Sequence, residues 1–306
     1  MHIIEISIII VNYNTADLLF NCINSIIKLV EDISYEIIVV DNASSDNSIK
    51  LVNEHFPNIT LIALPKNVGF GAANNIGTKH AKGKYYLFLN SDTVLLNNLP
   101  KILFDFMEKH TFCGICGGNL VDINKKPIHS YSKTLPSPWT DIYRFFPGLK
   151  NIIQGKDWYY NFSNYPKRVG YITGADLCIR ADLFDKIGGF HKNFFMYYEE
   201  TELSYRVINT GYYIYSVPEA KAIHIKGASV ELLPSNKEIV LISKYRYLIM
   251  LYGKYGAYLS HYIFRLFCLF KMLFNLIRKK SSSTHYYKNM YLLEKKVFYN
   301  EVIKNA

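Results

Sequence analysis

Between residues 6 and 89, short apolar runs alternate with longer stretches whose apolar positions recur at helical spacing. Ile6 to Val11, Tyr35 to Val40, Ile59 to Ala63 and Tyr85 to Leu89 are strand-length runs rich in β-branched and aromatic residues, apolar on both faces. Ala16 to Val30, Ser45 to Phe56 and Gly71 to Ala81 read as the intervening helices, the second opened by a Ser cap. Strands buried on both faces and separated by helices imply a parallel sheet covered on both sides. The expected class is α/β, on a nucleotide-binding type of scaffold.

A further helix is expected from Asn97 to Met107, then short strands to Val121. Asp122 to Arg168 is rich in Pro, Lys, Tyr and Trp with little periodicity, and a long irregular connection inside a domain is usually functional or mobile. Trp139, Trp158, Tyr159 and Tyr160 within it are candidates either for stacking on the rings of a ligand or for covering the sheet. Order returns with Gly170 to Ile179, the turn Gly188-Gly189-Phe190, a helix from about Glu199 to Thr210, and paired strands around Tyr212 to Val217 and Lys221 to Ile225.

The last part differs in kind. Ala257 to Ile277 is nearly all apolar but contains His261, Arg265 and Lys271. At helical spacing these fall with Ser260, Asn275, Arg278 and Lys279 inside an arc of roughly 140°, and Tyr, Leu, Ile and Phe fill the opposite side. A spanning helix would bury cations at about 2.5–3.5 kcal/mol each, whereas a helix lying in the interface offers them to anionic headgroups. The interfacial arrangement is expected; packing on its own domain or in a dimer interface is the alternative. The chain divides on this basis into residues 1–236 and an amphipathic helical appendage, residues 237–306.

Charge sharpens the division. Of 35 Lys+Arg and 25 Asp+Glu, residues 1–236 hold 22 of each, and residues 237–306 hold 13 Lys+Arg against three Glu. The net +10 therefore lies in the appendage and points to an anionic surface as partner. Nucleic acid is not expected, because the appendage's aromatics lie on an apolar face rather than interleaved with the cations as stacking platforms. The N-terminus has no basic region or small-residue cleavage site ahead of the first strand, so no signal peptide is read. Five scattered cysteines argue for reduced thiols. The Cys113-x-x-Cys116 pair lacks a second ligand pair and reads as part of a glycine-rich buried strand.

Polar clusters recur where the expected strands end: Asn12-Tyr13-Asn14, Asp41-Asn42-x-Ser44-x-Asp46, Asn67-Val68-Gly69-Phe70-Gly71-Ala72-Ala73-Asn74, and Asn90-Ser91-Asp92. In open α/β sheets ligands bind outside the carboxyl ends of the strands. A divalent metal on a phosphate needs only one or two protein carboxylates there. Asp41 and Asp46 suit ribose hydroxyls or a base N–H, or the capping of the next helix. Gly69 and Gly71 permit close approach of a ligand to a helix N-terminus. As a dinucleotide fingerprint the segment fails, since Asn74 replaces the third glycine and the segment follows the third strand.

This series, continued by Thr173-Gly174-Ala175, Gly188-Gly189-Phe190, Tyr198-Glu199-Glu200-x-Glu202-Leu203-x-x-Arg206 and His224-x-x-Gly227-x-Ser229, resembles the family 2 glycosyltransferases with the GT-A fold. It is most like their rhamnosyltransferase-type members and runs in order from residue 5 to about residue 230. The resemblance implies a Rossmann-like, mostly parallel sheet flanked by helices. It implies too an inverting transfer from a nucleotide-diphosphate sugar, dTDP-rhamnose or a UDP-sugar, assisted by Mn2+ or Mg2+.

Carried over by position, Asn12, Asn14, Asp41, Asn67, Gly69, Asn74, Asn90 and Ser91 form the nucleotide-binding set. Asp92 is the metal-binding Asp of an Asp-x-Asp motif whose first member here is Asn90, and His224 matches a histidine that completes the metal site in some relatives. Gly174, Ala175 and Asp176 fall with the acceptor. The family's Glu-Asp pair corresponds to Glu199-Glu200; Glu200, one methylene longer than the family's Asp, is the expected general base, with Glu199 in contention. Glu202 is expected to orient Arg206. The acceptor is expected to be lipid-linked or a saccharide, in surface polysaccharide or glycolipid synthesis. Residues 257–280 would then meet the anionic inner face of the cell membrane from the cytoplasm. Asn90 and Glu200 depart from the family pattern and keep a second class open, a catalytically silent sugar-nucleotide-binding or membrane-assembly subunit.

Overall fold

A computed structural model describes residues 4–146, 148–225 and 236–304. The chain forms two compact units. The first comprises residues 1–135, 157–195 and 199–234, the second residues 136–156, 196–198 and 235–306.

The first unit is built on strands β1 (Ile6–Asn12), β2 (Tyr35–Asp41), β3 (Thr60–Ala63), β4 (Tyr85–Asn90), β5 (Thr93–Leu95) and β6 (Cys113–Val121). Helices α1 (Ala16–Leu29), α2 (Ser48–His55), α3 (Phe70–Thr78) and α4 (Leu99–Lys109) connect them. The short pair β7 (Tyr131–Ser132) and β9 (Tyr171–Ile172) forms a separate ribbon. β8 (Lys167–Arg168), β10 (Asp176–Arg180) and β11 (Tyr213–His224) return to the main sheet, with helices α6 (Ala181–Lys186) and α7 (Glu199–Asn209) between β10 and β11. The sheet order is β3-β2-β1-β4-β10-β6-β11-β5, with β8 pairing β11. β1 to β4 are parallel, β10 runs antiparallel to β4 and β6, and β6 and β11 are again parallel.

The two-sided apolar runs explain this architecture. Ile8, Ile10, Val39, Leu87 and Leu89 pack on one face against Leu19, Ile23 and Ile26 of α1 and Leu99 and Leu103 of α4. Their neighbours Ile9, Ile38, Val40 and Phe88 pack on the other, with Ala73 of α3, Phe184 of α6 and Leu203 of α7. Each such side chain removed from water stabilises the unit by about 1.5–3 kcal/mol. The parallel register sets Asn12 beside Asp41 and Val11 beside Asn90, so the polar strand ends share one edge.

Three expectations change. The helix expected from Ser45 begins at Ser48 because Asp46 Oδ1 accepts the Ser48 N–H (3.1 Å) and hydroxyl (2.5 Å), capping there. The strands expected at Tyr212–Val217 and Lys221–Ile225 are one strand, β11, with a break in register between Ser216 and Lys221 where Pro218 interrupts the ladder. The 122–168 connection holds a 3-10 turn at Pro138–Arg144 and a short helix, α5 (Leu149–Gln154), in the second unit. All five cysteines are free and buried, Cys113 and Cys116 within β6.

The second unit is dominated by α8 (Asn236–Ile277) and α9 (Ser281–Phe298). At Gly253 the backbone turns to φ 65°, a conformation open to glycine, so α8 is two helical arms. Two polar clusters are internal. Asp141 Oδ2 accepts from Lys244 Nζ (2.6 Å) and Ser260 Oγ (2.5 Å). Glu294 accepts from Tyr245 OH and faces His261 Nδ1 at 2.8 Å. The polar arc of 257–277 was expected to face outward to headgroups. Ser260, His261 and Asn275 are instead buried, because Asp141 and Glu294 take up Ser260 and His261 from inside the unit, whereas Arg265 and Lys271 are half-exposed and Arg278 and Lys279 exposed. Tyr262, Leu266, Leu269, Phe270, Leu273, Leu276 and Ile277 form the outward ridge.

Candidate active site

The strand ends are tied together before any ligand is considered. Asn12 Nδ2 donates to Asp41 Oδ2 (3.0 Å) and Ser44 Oγ (3.1 Å), and Asn12 Oδ1 accepts from Thr15 Oγ1 (2.7 Å), which also lies 2.9 Å from Ser91 Oγ. Asp41 Oδ1 accepts the Ser44 N–H (2.9 Å), and Asn14, at φ 54°, accepts the Ser45 N–H on its Oδ1 (2.6 Å). Asp41 is thus buried with both oxygens holding the β2 loop. Asp46 Oδ2 accepts the Ala16 N–H (3.0 Å) as well, so its work is capping.

The glycine segment is fixed by amides. Asn42 donates to Asn67 Oδ1 (2.9 Å) and accepts the Val68 N–H (2.9 Å), while Asn67 Oδ1 also accepts the Gly69 N–H (3.0 Å). Gly69 has φ 88°, and a Cβ there would sit 2.2 Å from the Phe195 carbonyl oxygen, which accepts the Phe70 N–H (2.8 Å). Glycine is therefore required by Phe195, a protein neighbour. Asn74 donates to the Phe70 carbonyl (3.1 Å), and its buried Oδ1 has no partner among the described residues.

Antiparallel pairing of Thr93 with His224 brings two distant segments together. His224 Nε2 lies 3.2 Å from Asp92 Oδ1 and 3.3 Å from Asn90 Nδ2. Among the described residues no three His, Cys, Asp or Glu side chains gather as a metal cage. A buried carboxylate and an imidazole nitrogen converging at the sheet edge nevertheless fit a divalent ion that draws its remaining ligands from phosphate oxygens and water. Gly227 and Ser229, which share the motif with His224, lie outside the described residues.

From this corner, close contacts lead to the carboxylate pair. The Asn90 N–H donates to the Ala175 carbonyl (3.1 Å), and a Cβ on Gly174 would meet the Phe70 ring at 3.2 Å. A Cβ on Gly71, next in α3, would lie 3.5 Å from Glu199 Cβ. Gly174 and Ala175 border the site, but Asp176, expected beside the acceptor, does not. It is fully buried, Oδ2 accepts the Gly118 N–H (2.6 Å), Oδ1 has no partner among the described residues, and burial pushes its pKa up to about 7.

Glu199 and Glu200 open α7 directly after Tyr197 (φ 70°) and Tyr198 (φ 68°). Two consecutive left-handed aromatic residues cost about 1–3 kcal/mol each and are typical of functional sites. Glu199 is buried with Oε2 unpartnered among the described residues, and burial, then the neighbouring Glu200, holds its carboxyl well above the usual range. Burial raises Glu200 to about 7, with backbone N–H groups at the helix start opposing the rise. Glu202 serves differently: it binds Arg206 in a fork (2.6 and 2.7 Å), and Arg206 reaches the carbonyls of Ile187 and Gly189 (2.7 Å each).

Three residues to which the sequence assigns no role of their own shape the site. Asn42 and Thr15 hold the loops, and Asn75 clamps the Gly189-Phe190 turn by accepting the Phe190 N–H (2.9 Å) and donating to its carbonyl (2.8 Å). The signal was present in the run of short polar residues at strand ends, but their partners lie up to 115 residues away. Of the four aromatics in the irregular connection, Trp158 and Tyr159 pack on each other and their backbone carbonyls accept from the β7 segment, whereas Trp139 is exposed.

A family model described as glycosyl transferase family 2 matches residues 7–168. Rhamnosyltransferase WbbL of Escherichia coli K12 is 28% identical over 218 residues, covering 64% of this chain and 77% of its own. The hexosyltransferase Agl10 of low-salt glycan biosynthesis in Haloferax volcanii is 27% identical over 250 residues (80% and 75%). An N-acetylglucosaminyl-diphospho-decaprenol L-rhamnosyltransferase of Mycobacterium tuberculosis is 21% identical over 238 residues (69% and 73%). Among solved structures, GalNAc-T7 with UDP, GalNAc and Mn2+ superposes with TM-score 0.59 at 15% identity, over 84% of this chain. S. aureus TarS does so with TM-score 0.52 at 14% identity, over 86%. This chain spans 51% and 43% of those two structures, and the likeness is one of fold.

Proposed function

The chain belongs to glycosyl transferase family 2, with a GT-A fold, and from that premise we propose that it is an inverting transferase acting on a nucleotide-diphosphate sugar. The family supports sugar transfer in glycan synthesis, and the rhamnosyl and hexosyl transferases among its relatives favour dTDP-rhamnose or a UDP-sugar as donor. The observation that carries the mechanism is the Glu199-Glu200 pair at the start of α7, Glu199 buried and Glu200 half-buried, with the Glu199 carboxyl held well above its usual range and Glu200 raised to about 7. A base with a pKa near the working pH combines the right protonation state with enough driving force to take a proton.

In this reading Glu200 Oε accepts the proton of the acceptor hydroxyl as that oxygen attacks the anomeric carbon, and the nucleoside diphosphate leaves from the opposite face. Glu199, the more deeply buried, stays protonated and keeps a second negative charge away from the attacking oxygen. Asp92 and His224 would hold Mn2+ or Mg2+, which when bound offsets the charge developing on the departing diphosphate. Asn90, in place of the usual Asp, serves as an amide donor at that corner rather than as a further anionic ligand. Asn12, Asp41, Asn67, Gly69 and Ser91 shape the nucleotide pocket, Asp41 by fixing its loop. Asn74 brings an unpaired oxygen to the N-terminal turn of α3. Gly174 and Ala175 border the acceptor side. The acceptor is lipid-linked or a saccharide, and residues 257–280 meet the anionic inner face of the membrane.

Stereochemistry tests this reading. With a lipid-linked acceptor and the matching donor, the anomeric coupling of the product read by proton NMR is expected to be opposite to that of the donor. Retained configuration, or hydroxylamine-trapped glycosyl-enzyme, contradicts it.

A further inference from the structure

The helical unit holds a cleft of about 460 Å3 where α8 ends and α9 begins. Lys279, Lys280, His285 and Lys288 line it together with Asn275 and Thr284, and no acidic residue contributes to its wall. Indeed the sequence from Arg278 to Lys288 contains five Lys, Arg or His and no Asp or Glu. Among the described residues Lys279, Lys280 and Lys288 have no carboxylate partner.

The turn is a helix-ending motif. The Lys280 N–H donates to the Asn275 carbonyl (2.9 Å) and the Lys279 N–H to the Leu276 carbonyl (3.0 Å), with Lys279 in the left-handed region at φ 52°. Glycine is the usual occupant of such a position. Here a lysine takes it and is directed to the cleft wall. α9, 18 residues long, has no acidic residue in its first turn and no side-chain cap, so its first amides are open to an anion, while the carboxyl end of α8 at the same turn opposes its dipole.

A second observation, independent of the charges, points to a ligand. Asn275 is only 8% exposed, lines the cleft, and its side chain has no hydrogen-bond partner among the described residues. Its amide is not closed off from the cleft, so it is open to a ligand there. Immediately beside it the outward ridge ends in Leu273, Leu276 and Ile277, exposed by 62%, 62% and 74%. An anion site next to an apolar ridge has the chemistry of a phospholipid, with a phosphate to be bound and acyl chains to receive the ridge.

We propose that this cleft binds the phosphate of an anionic membrane lipid and that the ridge formed by Leu266, Phe270, Leu273, Leu276 and Ile277 enters the acyl region beside it. The proposal rests on the membrane reading of residues 257–280 but adds a defined headgroup site. Lys279, Lys280 and Lys288 contact phosphate oxygens, and Asn275 Nδ2 donates to one of them.

Flotation of the full chain with vesicles of phosphatidylcholine alone, or of phosphatidylcholine with phosphatidylglycerol, tests it. Wild type is expected to require phosphatidylglycerol. The triple variant Lys279→Gln, Lys280→Gln, Lys288→Gln should weaken that partitioning on the order of a hundredfold, since each cation at an anionic surface is worth several-fold. A charge-matched control, Lys79→Gln, Lys109→Gln, Lys186→Gln on exposed lysines of the other unit, should change it by about threefold or less. Asn275→Leu, read in the same assay, should weaken binding to phosphatidylglycerol without affecting charge. Equal loss in both triple variants overturns the site and leaves only general attraction. Equal binding to both vesicle types overturns the headgroup role while the membrane reading survives. No flotation with either type overturns both, and calorimetric binding of inorganic phosphate without flotation would identify a free-anion site instead.

Discussion

The two units bury carboxylates to opposite ends. In the helical unit Asp141 and Glu294 are internal and each has side-chain partners, Asp141 in Lys244 and Ser260 and Glu294, through Oε1, in His261 and Tyr245, while Glu294 Oε2 has none among the described residues. In the sheet unit neither Glu199 nor Asp176 has a side-chain hydrogen-bond partner among the described residues, Asp176 taking only the Gly118 N–H, and their pKa values, with that of Glu200, are displaced upward. A buried charge that is paired serves architecture, since breaking the pair strands the other member. One that is unpaired and poised near neutrality is where proton chemistry is expected. The contrast extends to the surfaces: the helical unit presents an exposed apolar ridge from Tyr262 to Ile277 beside exposed cations such as Arg278, Lys279 and Lys280.

The strongest attempt to break this comparison is Glu200→Gln. Transfer should fall about a thousandfold, the effect expected for loss of a general base. Equilibrium binding of the nucleoside diphosphate, followed by calorimetry, should stay within about twofold, as Glu200 is not assigned to that pocket. Stability should not fall. Glu200 has a folded-state pKa of about 7, above its ordinary value, so its ionisation opposes folding: stability declines as pH rises toward 7, and the glutamine variant escapes that loss. Wild-type turnover would move the role to Glu199.

Glu294→Ala is the counterpart in the helical unit. It strands His261 and Tyr245 in the interior and should cost about 3 kcal/mol in chemical unfolding, with no change in the pH dependence of any residual donor turnover. Next in size, Leu266→Glu with Leu273→Glu should lower vesicle partitioning about a hundredfold through lost apolar burial. Turnover of a water-soluble acceptor should be unaltered. Smallest is the wild-type pH profile: kcat/KM should fall about tenfold for each pH unit below an apparent pKa near 7, as the carboxylate pair takes up a proton.

Much of the sheet unit was legible because its periodicities are local. Ile8 and Ile9 on opposite faces follow from strand geometry alone, and the edge shared by Asn12, Asp41 and Asn90 follows from parallel register. The pairing of Asp92 with His224 required a contact across 132 residues and came only through family resemblance. The motif gives the position of Asp176 but not the direction of its side chain, which is buried on the Gly118 N–H. The appendage shows the limit most clearly. Its amphipathic pattern was readable, but which face points outward depends on Asp141 and Glu294, residues that the pattern of 257–277 does not contain.

Metal-dependent release of nucleoside diphosphate from a panel of dTDP-, UDP-, GDP- and CDP-sugars tests the central claim most directly. With a lipid-linked or saccharide acceptor present, the account predicts release from one donor. EDTA should abolish it, Mn2+ or Mg2+ restore it, and Asp92→Asn reduce it severely. Release that EDTA leaves untouched, or silence with every donor despite tight nucleotide binding, would contradict it and identify a sugar-nucleotide-binding subunit in the latter case.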